Sequence, residues 1–342
     1  MKNEIILGEL YILNSNESWN NYAGLFNQID IYYSHEYAEL FAEAQGGVPE
    51  AVYFENIRGR VFYPYIKREI PLKKGYFDII TPYGYGGPIL EGDRSIIKTF
   101  HSLFKNYCLN SNIVTETIGL HPLINNIDYI KEIMKVDYIR KTVAVDLTPP
   151  INEIRNNYSQ SNKRNIRKAI RTGVNVNIST NNSDIKRFID LYYETMDRNQ
   201  AAQFYYFKPR YFYKQLESTN LSKSFLLIAQ YNGEIIGAVL FVVGKEYAHY
   251  HLGASKTEFL HLRPNNLLFD TMIEFSKNLG VKKIHLGGGY SDDDSLFRFK
   301  SSFSNYFYTY YIGKNIINHN IYNELIIETK REKSSKFFPE YR

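Results

Sequence analysis

Residues His285 to Lys300, HLGGGYSDDDSLFRFK, hold the chain's densest chemistry-bearing pattern: glycines at 287, 288 and 289, aspartates at 292, 293 and 294, and then Lys300. Consecutive glycines let backbone N–H groups approach an anion, so Gly288 and Gly289 are candidate donors to a phosphate or a developing oxyanion. A carboxylate held among like charges takes up a proton more readily, which a general base for an attacking amine requires, and Asp292, Asp293 and Asp294 meet that condition. Lys300 is suited to an acyl carbonyl or a phosphate. Structural roles compete: Asp294 or Ser295 could cap a helix over Leu296–Ser302, and a lysine can simply be solvated. The whole run reads as the rim of a crevice at a strand's C-terminal end.

Three further groupings could serve the same crevice. Arg263-Pro264-Asn265-Asn266 opens a helix whose first-turn amides and positive end favour a phosphate or an oxyanion, so Arg263, Asn265 and Asn266 are candidate donor contacts; an ordinary helix start with an early proline is the alternative. No Asp or Glu occurs between Ile154 and Ser183, and Lys163, Arg164, Arg167, Lys168 and Arg171 share one side of a helix, with Ile166, Ala169 and Ile170 on the other. Lys163 and Arg167 are therefore candidates for substrate phosphates, although a solvated face has the same composition. His249 and His251 share a strand face and His285 ends another strand. No third ligand has metal-site spacing and HExxH is absent, so His251 and His285 are assigned to proton transfer or substrate contact and no metal is expected. In the first half, TPYGYGGP (Thr81–Pro88) offers Tyr83 and Tyr85 as stacking faces for sugar rings, or as packing.

The elements that must position these residues follow from periodicity. Strands are expected at Ala51–Glu55, Gly59–Ile66, Phe77–Ile80, Phe225–Gln230, Glu234–Val243, Ala248–Leu252, Lys283–Leu286 and Asn305–Tyr311, with a hairpin at Asn232-Gly233. Helices are expected at Ser95–Tyr107, Asn152–Arg171, Ser183–Arg198 and Pro264–Asn278, the last with Asp270, Glu274 and Lys277 facing away from its apolar side. Thr148-Pro149-Pro150 marks a boundary, giving lobes over 1–148 and 149–329 and a loosely held polar tail over 330–342.

At 342 residues the chain exceeds one ordinary core, and 31 tyrosines suit cores whose rims meet polar ligands. A net charge of +5 excludes a wholesale nucleic-acid coat but leaves room for a local basic patch. The single Cys108 excludes a disulfide framework and makes the cytoplasm the default location. No apolar run is long enough to span a membrane, which still allows peripheral membrane contact. Gly-x-Gly-x-x-Gly and Walker A sequences are absent, so dinucleotide enzymes and nucleoside triphosphatases have no motif support.

SNKRNIRKAIRTGV (Ser161–Val174), FIDLYYETMDR (Phe188–Arg198), HYHLGAS (His249–Ser255), LRPNNLLFDTMIEFSKNLG (Leu262–Gly280) and the closing GGG…FRFKSSF resemble the Fem-type peptidoglycan-bridge aminoacyltransferases and related acyltransferases of surface-polysaccharide clusters, in the GNAT superfamily. TPYGYGGP is similar to a motif of the polysaccharide-associated branch. The resemblance implies an α/β fold of two tandem GNAT-like lobes, each a mixed sheet flanked by helices, the first serving the acceptor and the second the acyl donor. It further implies an N-acyltransferase without a tightly bound cofactor, using aminoacyl-tRNA or an acetyl- or acyl-CoA as co-substrate. The acceptor would be an amine of a nucleotide-linked sugar or of a lipid-linked or muropeptide precursor. By this resemblance Lys300 inherits an anchoring role, and Lys163 and Arg167 a role at substrate phosphates. The long helical hairpin of several Fem enzymes has no room between Thr195 and Asn220, and Arg263–Asn266 replaces the glycine-rich pyrophosphate loop of CoA-dependent relatives. Aminoacyl transfer is the first expectation. An acetyl-CoA-dependent acetyltransferase acting on an amino sugar and a non-catalytic glycan-binding module are the alternatives.

Overall fold

A computed structural model describes residues 8–179, 181–329 and 338–342 of the chain, which forms two compact units: Met1–Ile139 with Thr309–Arg342, and Arg140–Tyr308. In chain order the elements are β1 (Glu9–Leu13), α1 (Asn16–Ala23), α2 (His35–Gln45), β2 (Val48–Asn56), β3 (Gly59–Ile70), β4 (Lys73–Ile80), β5 (Ile89–Gly92), α3 (Ile96–Asn110), β6 (Ile113–Gly119), α4 (Ile127–Ile130) and β7 (Lys135–Asp146). There follow α5 (Ile151–Asn156), α6 (Gln160–Arg171), β8 (Asn175–Ser179), α7 (Asn182–Arg198), α8 (Pro209–Leu216), β9 (Lys223–Tyr231), β10 (Glu234–Val243), β11 (Tyr247–Ser255), α9 (Pro264–Asn278), β12 (Lys283–Gly288), α10 (Ser295–Ser301), β13 (Tyr306–Ile316) and α11 (His319–Thr329).

The first unit orders its strands β1-β2-β3-β4-β6-β13, with β5 beside β3. All neighbours run antiparallel except β4 and β6, whose parallel pairing requires the crossover that carries α3. Ile96, Ile97, Phe100, Phe104 and Cys108 of α3 are buried at helical spacing against Phe54, Tyr63, Tyr65 and Ile79 of the sheet. The second unit repeats the scheme in the order β8-β9-β10-β11-β12-β7, where β11 and β12 form the parallel pair and α9 is the crossover. Leu267, Leu268, Met272 and Ile273 of α9 pack on Val239, Phe241, Ala248 and Ile284. Each unit thus holds a mixed set of parallel and antiparallel strands flanked by helices, an α/β fold.

The Asn232-Gly233 hairpin forms as its residues dictate, both at positive φ (49° and 81°), and α9 begins at Pro264 and ends before Gly280 in the left-handed region (φ 82°). Four expectations need correction. The units divide inside β7 and β13 and not at Thr148: Thr142–Asp146 already hydrogen-bond to β12, while Ile312–Ile316 pair with β6, so residues 309–329 belong to the first unit. The helix expected over Asn152–Arg171 is two, because Ser159 is extended and its hydroxyl accepts from the Asn162 N–H at 3.2 Å, capping α6 anew. The chain's end is not loosely held. Tyr341 is buried with its hydroxyl 2.7 Å from Thr115 Oγ1, and Arg342 pairs with the buried Asp78; the rest of the expected tail, 330–337, lies outside the described residues. Finally, Asp270 does not face solvent. It is 4% exposed and receives a two-pronged bond from Arg155 at 3.0 and 2.8 Å.

Candidate active site

Parallel pairing of β11 with β12 runs from Tyr247↔Lys283 to His249↔His285 and ends there, although β11 continues to Ser255 and β12 to Gly288. Beyond His249↔His285 the two strands are no longer hydrogen-bonded to each other. Lys300, 4% exposed on α10, stands between them: its Nζ donates to the Gly288 carbonyl of β12 at 2.8 Å and lies 5.0 Å from the ring centroid of Tyr250 on β11. Burial pushes its amine down to about 7; Asp294 opposes that shift and Arg140 reinforces it. A lysine in this state can carry or surrender a proton near neutral pH.

The turn between β12 and α10 is built around Asp294. Its oxygens accept from the backbone N–H groups of Phe297 at 2.7 Å, Ser291 at 3.0 Å and Tyr290, making it the N-cap of α10. Burial raises its carboxyl pKa, but these N–H donors outweigh burial and hold it below the usual carboxylate range. Gly289 leaves room for this cap: a Cβ there would lie 2.0 Å from Asp294 Oδ1. The cap role explains Asp294, and a depressed pKa is the opposite of what a general base near neutrality needs. Asp292 accepts from the Lys141 N–H at 2.5 Å, and the exposed Asp293 lies 3.6 Å from Arg298. The three aspartates therefore have three separate partners. Asp294→Ala is expected to lower stability by roughly 2 kcal/mol in urea titration. Because the folded-state carboxyl titrates below its unfolded value, that deficit is full above pH ~4 and fades as pH falls through the depressed value.

The other sequence candidates separate into those at the parted strands and those elsewhere. Arg263, exposed and left-handed (φ 65°), turns the chain into Pro264 at the start of α9, and Asn265 Nδ2 donates to Ser255 Oγ at 3.3 Å at the end of β11. Asn266 is taken inward: its Nδ2 donates to Asn162 Oδ1 at 2.8 Å, and Asn162 in turn donates to the Ser302 carbonyl, tying α9, α6 and the end of α10 together. That buried pair makes Asn266 a positioning residue for the helix start. His285 is buried with Nε2 2.9 Å from Thr142 Oγ1, and His251 Nε2 meets the Tyr211 hydroxyl. Burial first and His249 second hold His251 far below the imidazole range, at about 3, so it is neutral at any physiological pH.

On α6, Ile166, Ala169 and Asn162 are buried while Arg164 and Arg167 are exposed; Ile170, expected inside, is 59% exposed, and Lys163 Nζ donates to the Asn156 carbonyl at 2.8 Å. Tyr83 and Tyr85 belong to the first unit. Tyr83 stacks on Phe41 at 5.3 Å, and Tyr85 meets Tyr32 and Tyr310 edge-on. Sequence reading missed Arg140, whose Nη1 donates to the Gly289 carbonyl at 2.5 Å, and also Tyr250, Asn162 and Tyr211. Of these, Tyr250 lay between two histidines already singled out and Asn162 within the quoted stretch Ser161–Val174, while Arg140 and Tyr211 had no such signal.

Residues 156–301 match the family model described as an acetyltransferase (GNAT) domain. No curated protein is similar in sequence. Among solved structures the fold is similar to that of FemX (14% identity, TM-score 0.72, covering 92% of this chain and 99% of that one). It is also similar to L-PGS from Bacillus licheniformis (10%, 0.54, 92% and 96%) and to a tandem GNAT protein from the clavulanic acid biosynthesis pathway (9%, 0.51, 90% and 98%). No helix among the described residues is long and apolar enough to cross a membrane.

Proposed function

We propose that the chain uses its second unit, where residues 156–301 match an acetyltransferase (GNAT) domain, to move an aminoacyl group from aminoacyl-tRNA onto an amine of a peptidoglycan or surface-glycan precursor. The observation that carries this reading is Lys300, buried between the parted ends of β11 and β12 with its amine poised near neutrality. The acceptor nitrogen attacks the donor carbonyl carbon, forming the C–N bond. As the tetrahedral centre collapses, the C–O bond to the tRNA ribose breaks. Neutral Lys300 receives the proton lost by the attacking amine and returns it to the departing oxygen, so charge and atoms balance. Backbone N–H groups at the start of α9, near Asn265, are the candidate donors to the oxyanion.

An acyl-CoA thioester would follow the same steps with sulfur as the leaving atom. Aminoacyl-tRNA is preferred because α6 exposes Arg164, Arg167 and Arg171 and the turn before α9 is Arg-Pro-Asn-Asn, without a glycine-rich pyrophosphate cradle. The deciding experiment offers the purified chain nucleotide-linked amino sugars and muropeptide precursors with charged tRNA or acetyl-CoA, and follows amide formation by mass. Absence of amide product with either donor would sink the reading. Amide made only from acetyl-CoA would replace the donor. With tRNA, Lys163→Ala/Arg167→Ala is expected to weaken binding about tenfold at 0.1 M salt and to flatten its salt dependence, since each phosphate contact contributes close to one unit of slope.

A further inference from the structure

The segment 198–216 holds seven aromatic residues and four cations without a single Asp or Glu: Arg198, then Phe204-Tyr205-Tyr206-Phe207-Lys208-Pro209-Arg210-Tyr211-Phe212-Tyr213-Lys214. Its inner half is fixed. Tyr211, Phe212 and Gln215 form the buried side of α8, Tyr192 and Tyr193 donate to the Tyr205 and Phe207 carbonyls at 2.9 and 2.6 Å, and Phe207 stacks on Tyr211 at 4.2 Å. Because the backbone is tied down from inside, the outer half is presented and not merely frayed. Phe204 is 43% and Tyr213 38% exposed, Lys208 and Arg210 are exposed, and Arg210, Tyr213 and Lys214 share the outer side of α8 at helical spacing.

We propose that this aromatic and cationic face docks the protein on an anionic lipid surface. Rings among lysines and arginines match the boundary between acyl chains and negatively charged headgroups, where an apolar ring enters and the cations remain with phosphate. The absence of any acid from residue 199 to 216 supplies the charge complementarity. Other occupants fit less well. A strand of stacked nucleobases needs successive open ring faces, yet Tyr206 stacks on Tyr193 and the buried Phe207 on Tyr211, so the exposed Phe204 and Tyr213 are not joined into a stacking run. A second copy of the chain would bring like charges together.

The test is flotation of the full chain with vesicles of pure phosphatidylcholine and with vesicles containing 30% phosphatidylglycerol, at 0.1 and 0.5 M salt. Binding to the anionic vesicles is expected to exceed binding to the neutral ones by roughly tenfold and to fall with salt. Phe204→Ser/Tyr213→Ser should weaken it about tenfold at low salt, and Lys208→Glu/Lys214→Glu should abolish the anionic preference, each with an unchanged melting temperature. Equal binding to both vesicles, no binding to either, or variants that bind as well as the parent would overturn the proposal. So would single-stranded RNA that binds this face, by the same variants, where vesicles do not. None of these residues takes part in the proposed transfer chemistry, so failure here leaves that reading standing.

Discussion

Lys300→Met is expected to lower amide formation by about 10²–10³-fold while making the protein more stable, a combination that a purely structural lysine would not give. Its amine is buried and its pKa is depressed from an ordinary 10.5 to about 7. The sign follows from proton uptake. Above pH ~10.5 the amine is neutral in both folded and unfolded chains and costs nothing. As pH falls, the unfolded chain binds the proton first, so the lysine destabilises the fold increasingly until about pH 7, below which the penalty is constant. Methionine has a similar length and no charge, and it forfeits the bond to the Gly288 carbonyl and the ammonium's contact with the Tyr250 ring. Net stabilisation at pH 7 is expected to be on the order of 3 kcal/mol, shrinking toward zero near pH 10. Denaturant titrations at pH 7 and 9.5 check this. Activity in the parent should rise with pH through about 7 as the neutral amine forms, and that limb should vanish in the variant. A variant that is both inactive and less stable would instead show Lys300 to be a packing element.

Local rules were legible where local chemistry decides the outcome. The Asn232-Gly233 turn, the bounds of α9 and the cap of α10 by Asp294 each follow from a few adjacent residues, and all appear in the structure. The family motif drew attention to Lys300, but nothing in its spacing said that Tyr250 and Gly288 would lie beside it in the fold. Long-range pairings were not legible. That β13 would return to β6, or that Asn162 would meet Asn266, depends on contacts between segments far apart in sequence, and a polar residue on a helix reads as solvent-facing until its partner is known. The same limit misled the reading of the aspartate run. Three adjacent carboxylates suggest mutual repulsion and a raised pKa, whereas backbone N–H groups claim Asp292 and Asp294 separately and Asp293 faces Arg298.

Arg155 and Asp270 are the sharpest case of a partner hidden from sequence, and they carry the second large prediction. Asp270 sits in the middle of α9, buried, and Arg155 reaches it from α5 with two parallel bonds while also meeting Glu274 at 2.7 Å. Pairing with Asp270, before the opposing effect of burial, raises the guanidinium pKa further still. Removing the arginine leaves a carboxylate inside the fold without its fork. Breaking a fully buried pair from one side costs about 3–5 kcal/mol, but the Arg155 side chain is 35% exposed, so Arg155→Ala is expected to cost roughly 2–3 kcal/mol. Arg155→Lys, which keeps the charge but not the planar fork, should recover only part of that. Because α9 also supplies the amides near Asn265, partial loosening of the helix should raise the KM for the donor more than it lowers kcat. Urea titrations of parent and variants check the stability cost: an Arg155→Ala or Arg155→Lys variant as stable as the parent would mean that Asp270 is held by its surroundings and not by the arginine.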